Sequence, residues 1–120
     1  MSIADMLASL GAEWFAFKAF TKHATDISHD ALHVIAGPAI QLVVAALLRG
    51  SLRDLRPWLV VLAFELVNEW NDLRIDRWPD FSAQLGEGAK DIALTMALPT
   101  LLFVVARWWP GLLARRDQAR

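Results

Sequence analysis

The chain contains no cysteine, which rules out a disulfide framework and leaves its redox compartment undetermined. Charge of either sign is not in excess either: 12 basic residues face 13 acidic ones, and no basic stretch is interleaved with aromatics, so nucleic acid is not an expected partner. Nor does the first segment read as a cleaved secretion signal. Residues 3–20 have no positive start and are interrupted by Asp5, Glu13 and Lys18. There is no repeat of solenoid period, no low-complexity tract, no Gly-Ser linker and no His-Glu-x-x-His zinc signature.

Apolar residues are abundant, at 56% of the 120 residues, and they are clustered rather than spread. Ala31 to Leu48 and Ile92 to Trp109 are each close to the length that crosses a hydrocarbon core of about 30 Å. The middle run, Pro57 to Val67, is shorter, but a helical pattern continues from about Asp54 to beyond Asp72, with Pro57 tolerated near the first turn. The expected fold is all-α and polytopic. An amphipathic interfacial segment occupies residues 1–28, and a domain over 29–120 holds three transmembrane helices near 31–48, 56–72 and 91–109. A polar connection over 73–90, partly helical, closes with a Gly86-Glu87-Gly88 loop before the third span. Pro38 and Pro99 are expected to bend their helices.

In the first segment Ile3, Met6, Leu7, Leu10, Trp14 and Phe17 share one face at helical spacing, with Asp5, Ser9 and Glu13 elsewhere. That is the pattern of a helix lying in the headgroup plane. Arg49, Arg53 and Arg56 follow the first span, and Arg107, Arg115, Arg116 and Arg120 mark the end of the third, which predicts that both regions are cytoplasmic. The acidic connection then lies outside a bacterial inner membrane. Trp58, Trp108 and Trp109 mark the inner interface, and Trp70 and Trp78 the outer one. Arg74, Arg77 and Asp80 read as a solvated loop.

This threading brings the polar ends of the three spans to one level. Asp30 and His33 open the first; Glu65, Asn68, Glu69 and Asp72 close the second at three- and four-residue steps; Lys90, Asp91 and Thr95 open the third. Ionisable groups at the edge of a span point to function, because placing a charge in hydrocarbon is costly. Carboxylates held close together cannot all ionise, so one becomes a candidate acid or base, or a divalent cation such as magnesium is recruited. Asp30, His33, Glu65 and Asp91 are the catalytic candidates, Asn68, Lys90 and Thr95 the substrate-binding ones, and Glu69 and Asp72 the metal ligands. Against this, Glu65 and Asn68 also suit interhelical hydrogen bonding, and His29 and His33, one turn apart, read as satisfied or interfacial histidines before they read as metal ligands.

Asp30-Ala31-Leu32-His33 opening an apolar helix, Glu65 late in the next, and Asp91 with Thr95 one turn on resemble the VanZ-like membrane proteins. Their pattern runs Asp-Lys-x-x-His, Glu with a nearby Gln, and Asp-x-x-x-Asn; Ala31, Asn68 and Thr95 stand here for its Lys, Gln and Asn. The resemblance covers roughly residues 30–105 and implies an envelope protein of the bacterial inner membrane whose cluster engages a lipid headgroup or lipid-linked phosphate. Glu65, Asn68, Asp72, Asp76, Arg77 and Ala89-Lys90-Asp91 are also similar to prokaryotic diacylglycerol kinase. That likeness implies Glu65 as base, Asn68 and Asp91 in the active site and Asp72 on magnesium, but the charge bias places the site away from cytosolic ATP. A third reading is a non-catalytic accessory subunit or scaffold. Membrane lipids and further copies of the chain are the expected partners, since three short spans bury little surface alone.

Overall fold

The computed structural model describes residues 1–113; Arg115, Arg116 and Arg120, expected to mark a cytoplasmic tail, lie outside them. The order is α1 (Ile3–Thr25), α2 (His29–Leu47), α3 (Leu55–Ile75), α4 (Phe81–Trp108) and a single turn, α5 (Pro110–Leu113), with no strand among the described residues. The molecule is all-helical, and α2 and α4 are long and apolar enough to cross a membrane.

Each long helix begins at a side-chain cap. Ser2 and Asp5 form a reciprocal capping box on α1, and the side chains of Ser28, Asp54 and Asp80 accept from backbone N–H groups in the first turns of α2, α3 and α4. Asp26, in the left-handed region at φ 54°, ends α1 and turns the chain into α2.

The connection between α3 and α4 is shorter than the sequence suggests. Expected over 73–90, it is confined to 76–80, and the loop expected at Gly86-Glu87-Gly88 is helix. Two things override the glycine signal. Asp80 caps a start at Phe81, well before the apolar run that opens at Ile92, and Gly88 is where the Glu69 carboxylate lies against α4, so a Cβ there would meet Glu69 Oε2 at 2.8 Å. The side chain of Gln84 donates to the Asp76 carbonyl and closes the link. Arg74, Arg77 and Asp80 are exposed, as a solvated link requires.

Helix α4 packs against both α2 and α3, and α1 touches α3. Their interior is unlike that of a water-soluble bundle. The buried apolar side chains are few and mostly small: Ala45, Val61, Met96 and Ala106. Beside them lie His33, Gln41, Glu65, Asn68, Gln84, Asp91 and Thr95, all buried. Large apolar side chains point outward instead, including Ile35, Leu42 and Val43 of α2 and Leu66, Val67 and Trp70 of α3.

Gly37 sets the crossing of α2 and α4. A Cβ at this position would collide with the Thr95 carbonyl oxygen, so only glycine lets the backbones approach this closely. That carbonyl is one that Pro99, four residues on, cannot serve with an N–H. One turn further along α2, the Gln41 side chain donates to the Pro99 carbonyl at 3.0 Å.

Candidate functional site

On α2 the residues His29, His33, Gly37, Gln41 and Ala45 recur every fourth position, which stacks them on the face turned to the other helices. On α3 Pro57, Val61, Glu65 and Asn68 form such a stripe at four- and three-residue steps, and on α4 Asp91, Thr95 and Pro99 do so at every fourth position. The apolar members of these stripes meet at one end of the bundle and the polar members at the other. The polar end opens into a cavity of about 750 Å³ between α1, α2, α3 and the first turns of α4.

His33 is the centre of this arrangement. Its Nδ1 lies 2.8 Å from Thr95 Oγ1 and 3.1 Å from Glu65 Oε1; with the ring proton on Nδ1, a lone pair is left on Nε2. His33 Nε2 is 3.2 Å from His29 Nε2 and 3.6 Å from Asp91 Oδ2, and His29 Nε2 is 3.0 Å from the same carboxylate oxygen. Glu65 and Asp91 are each only 3% exposed; Glu65 Oε1 faces His33, but Asp91 Oδ1 has no hydrogen-bond partner. Orphaned oxygens on buried carboxylates are costly, and they mark where a proton, an ion or a ligand group belongs.

Helix α1 supplies the rest. Lys18 reaches across to α3, donating to Asn68 Oδ1 at 2.8 Å and to both oxygens of Asp72 at 2.5 and 2.7 Å. Trp14 Nε1 donates to Asn68 Oδ1 at 3.0 Å, and Asn68 Nδ2 donates to Glu69 Oε1 at 3.3 Å. Asn71 donates to the Gly11 carbonyl at 3.0 Å. Of the cavity wall, Leu32, Ala36, Ile40, Phe64 and Phe17 are apolar, so the pocket has an ionic floor and an oily side.

His33, Glu65, Asn68, Glu69, Asp72 and Asp91 therefore share one cavity, and Thr95 stands behind His33. Two expected members stand apart. Lys90 and Asp30 do not line the cavity; Lys90 Nζ pairs with Asp30 at 3.1 Å and Glu87 at 2.6 Å on the outer surface. Lys90 sits one residue from Asp91, a step of about 100° around the helix, which turns it away from the floor. Asp72, expected as a metal ligand, has both oxygens taken by the Lys18 ammonium. Glu69 keeps a ligand-like position beside Glu65 and His33.

Sequence reasoning missed Trp14 and Lys18 as site residues, and it read His29 as a satisfied or interfacial histidine. Lys18 carried a signal: it is a cation interrupting the apolar run from Trp14 to Phe20, four residues from Trp14. The His29-x-x-x-His33 step carried one too, since two imidazoles one turn apart face the same way.

Comparison with known proteins finds no matching family model, no matching curated protein and no matching solved structure.

Proposed function

We propose that the chain is a VanZ-like, multi-pass protein of the bacterial inner membrane whose cavity receives a phosphate-bearing lipid headgroup, with α2, α3 and α4 as its spans and α1 in the headgroup layer. The observation that carries this reading is the inverted molecule: polar groups line the inside, and large apolar side chains cover the outside. A pocket with a carboxylate and imidazole floor and an apolar side wall suits a ligand with a polar head and a hydrocarbon tail.

Support for α3 as a span comes from its two faces. Its ionisable residues Glu65, Glu69 and Asp72 turn into the cavity, while Leu59, Val60, Leu66, Val67 and Trp70 are exposed and do not line it. At about 1.5 Å per residue its 21 residues reach roughly 31 Å, enough for a hydrocarbon core. The exposed Ile3, Leu7, Leu10 and Phe17 of α1 fit a helix that dips one side into lipid. Residues of the same exposed surface are available to further copies of the chain, in keeping with a homo-oligomer.

In this reading Glu65 or Asp91 acts as base or cation ligand, Lys18 and Asn68 hold the headgroup, and Thr95 orients His33. Purification in native lipid discs followed by intact-complex mass spectrometry tests it. A phospholipid or polyprenyl phosphate should leave with the wild-type protein and be depleted in Glu65→Ala and Asp91→Ala at equal expression; equal retention in both variants would remove the reading.

A second reading, a diacylglycerol or undecaprenol kinase-like lipid kinase, draws on Glu65, Asn68 and Asp91 lining one cavity. It requires the site to face cytosolic ATP. A topology reporter at residue 80 separates the two, because an external signal eliminates the kinase.

A further inference from the structure

We infer that His29, His33 and Asp91 form a three-ligand site for a divalent transition-metal ion of the Zn²⁺ class, with its fourth position open to the cavity. Their three converging atoms are 3.0, 3.2 and 3.6 Å apart. An ion held at 2.0–2.1 Å by tetrahedral nitrogen and oxygen ligands sets those ligands about 3.3 Å from one another. The triad already has that spacing. The three atoms lie within the reach of one ion, and they come from two helices whose crossing Gly37 fixes one turn away.

Neutral imidazoles leave this cluster unsatisfied. With the His33 proton on Nδ1, a single proton on His29 Nε2 serves either His33 Nε2 or Asp91 Oδ2, whereas a cation at the centre serves all three atoms. Asp91 Oδ1, buried and without a hydrogen-bond partner, is a second and independent sign that something belongs beside this carboxylate. The outer arrangement is that of a metal-bound imidazole: the far nitrogen of His33 rests on Thr95 and Glu65, which fix the ring and make Nε2 the better donor. Two imidazoles with one carboxylate select Zn²⁺, Fe²⁺ or their neighbours over Mg²⁺, which prefers an all-oxygen shell. The alternative group of His33, Glu65 and Glu69 is the weaker ligand set, because the Nδ1 that faces Glu65 is already occupied by Thr95.

The inference goes beyond the lipid reading and supplies what that reading lacks. Glu65, Glu69, Asp72, Asp76, Glu87 and Asp91 line the cavity against Lys18 and Lys22, so an anionic headgroup meets an excess of like charge unless a cation intervenes.

The test uses the metal alone. Full-length protein in detergent is stripped with chelator, reloaded with Zn²⁺ or Co²⁺ and desalted. One ion per chain should be retained against excess Mg²⁺, and the Co²⁺ form should show the intense visible bands of a tetrahedral site. His29→Gln and Asp91→Asn should each lose the ion, with affinity down by more than about 100-fold, beyond the range of outer-sphere effects. The His29 side chain is 39% exposed, so His29→Gln is expected to keep its helicity and elution volume. Thr95→Val, which acts through His33, should weaken binding by about 10- to 100-fold and shift the Co²⁺ bands without abolishing them. Asp72→Asn should retain the ion. No retained metal in the wild type, an ion that survives both His29→Gln and Asp91→Asn, or the pale spectrum of octahedral Co²⁺ would each overturn the site. No lipid enters this titration, so its failure leaves the headgroup reading standing, and equal lipid retention in the earlier experiment leaves the metal site standing.

Discussion

The two ends of the helix bundle are held by different means. At one end Ala45, Val61 and Ala106 pack with little more than small apolar groups; at the other, His33, Glu65, Asn68, Asp91 and Thr95 meet through polar atoms. In lipid the apolar end gains little from hiding hydrocarbon, because the surroundings are equally oily, and it relies on close fit. The polar end has much to lose when any one partner is removed, because a buried carboxylate or imidazole left alone finds no water to replace it. One end is thus held by apolar contact, and the other by polar pairing.

Gly37 joins the two ends, and changing it should have the largest effect. Gly37→Ala forces its Cβ into the Thr95 carbonyl, so α2 and α4 must part. The expected loss is about 1–3 kcal/mol in reversible unfolding in detergent, accompanied by loss of the His29–Asp91 contact. A cost confined to stability, with the site unchanged, would show that the ends are independent.

Val61→Ala tests the apolar end by itself. Val61 is fully buried, and removing its two methyls should cost about 1–2 kcal/mol through lost contacts while leaving the site intact. Lys18→Met tests the polar end from outside. It leaves Asp72 without its cation and should release α1, seen as a red shift of Trp14 emission and faster hydrogen exchange over 3–25; the pair is partly solvated, so stability should change by no more than about 1 kcal/mol. Gln41→Leu, midway between the ends, removes one hydrogen bond to the Pro99 carbonyl and should cost about 0.6 kcal/mol, the typical value for such bonds between membrane helices.

The smallest effect lies at the α3 N-cap. Arg56 beside Asp54 holds that carboxyl below the ordinary aspartate value of 3.8. The lowered value belongs to the folded state, so the stabilisation is complete above 3.8 and is lost as pH falls through the folded value. Carboxyl NMR should find Asp54 titrating below a free aspartate in the wild type and moving part of the way back in Arg56→Gln, since the backbone N–H of residue 56 still donates to it.

The helices and most of the polar stripe were legible in the sequence because both follow from local periodicity. Glu65, Asn68, Glu69 and Asp72 recur at three- and four-residue steps inside an apolar run, and that alone puts them on one face. What escaped depended on groups far apart in the chain. Lys18 finds Asp72 across 54 residues, and no local pattern says which side chain of a surface helix will turn back to the bundle. The early start of α4 was hidden for a similar reason: Gly86 and Gly88 break helices in isolation, and only the Glu69 carboxylate lying against Gly88 explains a glycine there. Lys90 faces Asp30 and Glu87 rather than the cavity, which its place beside Asp91 in the sequence does not reveal.

The contact at Gly37 also has a meaning for how such a site could vary. It lies one turn from His33 on one helix, and Thr95 lies one turn from Asp91 on the other, so the backbone contact works as a ruler for the gap between imidazole and carboxylate. Changes in α1 or along the apolar cavity wall can reshape what enters without touching that gap. Any side chain at position 37 lengthens the ruler, and the histidines and the aspartate then no longer share a centre. The spacing of the charged groups is written in a missing carbon atom, outside the residues that would do the chemistry.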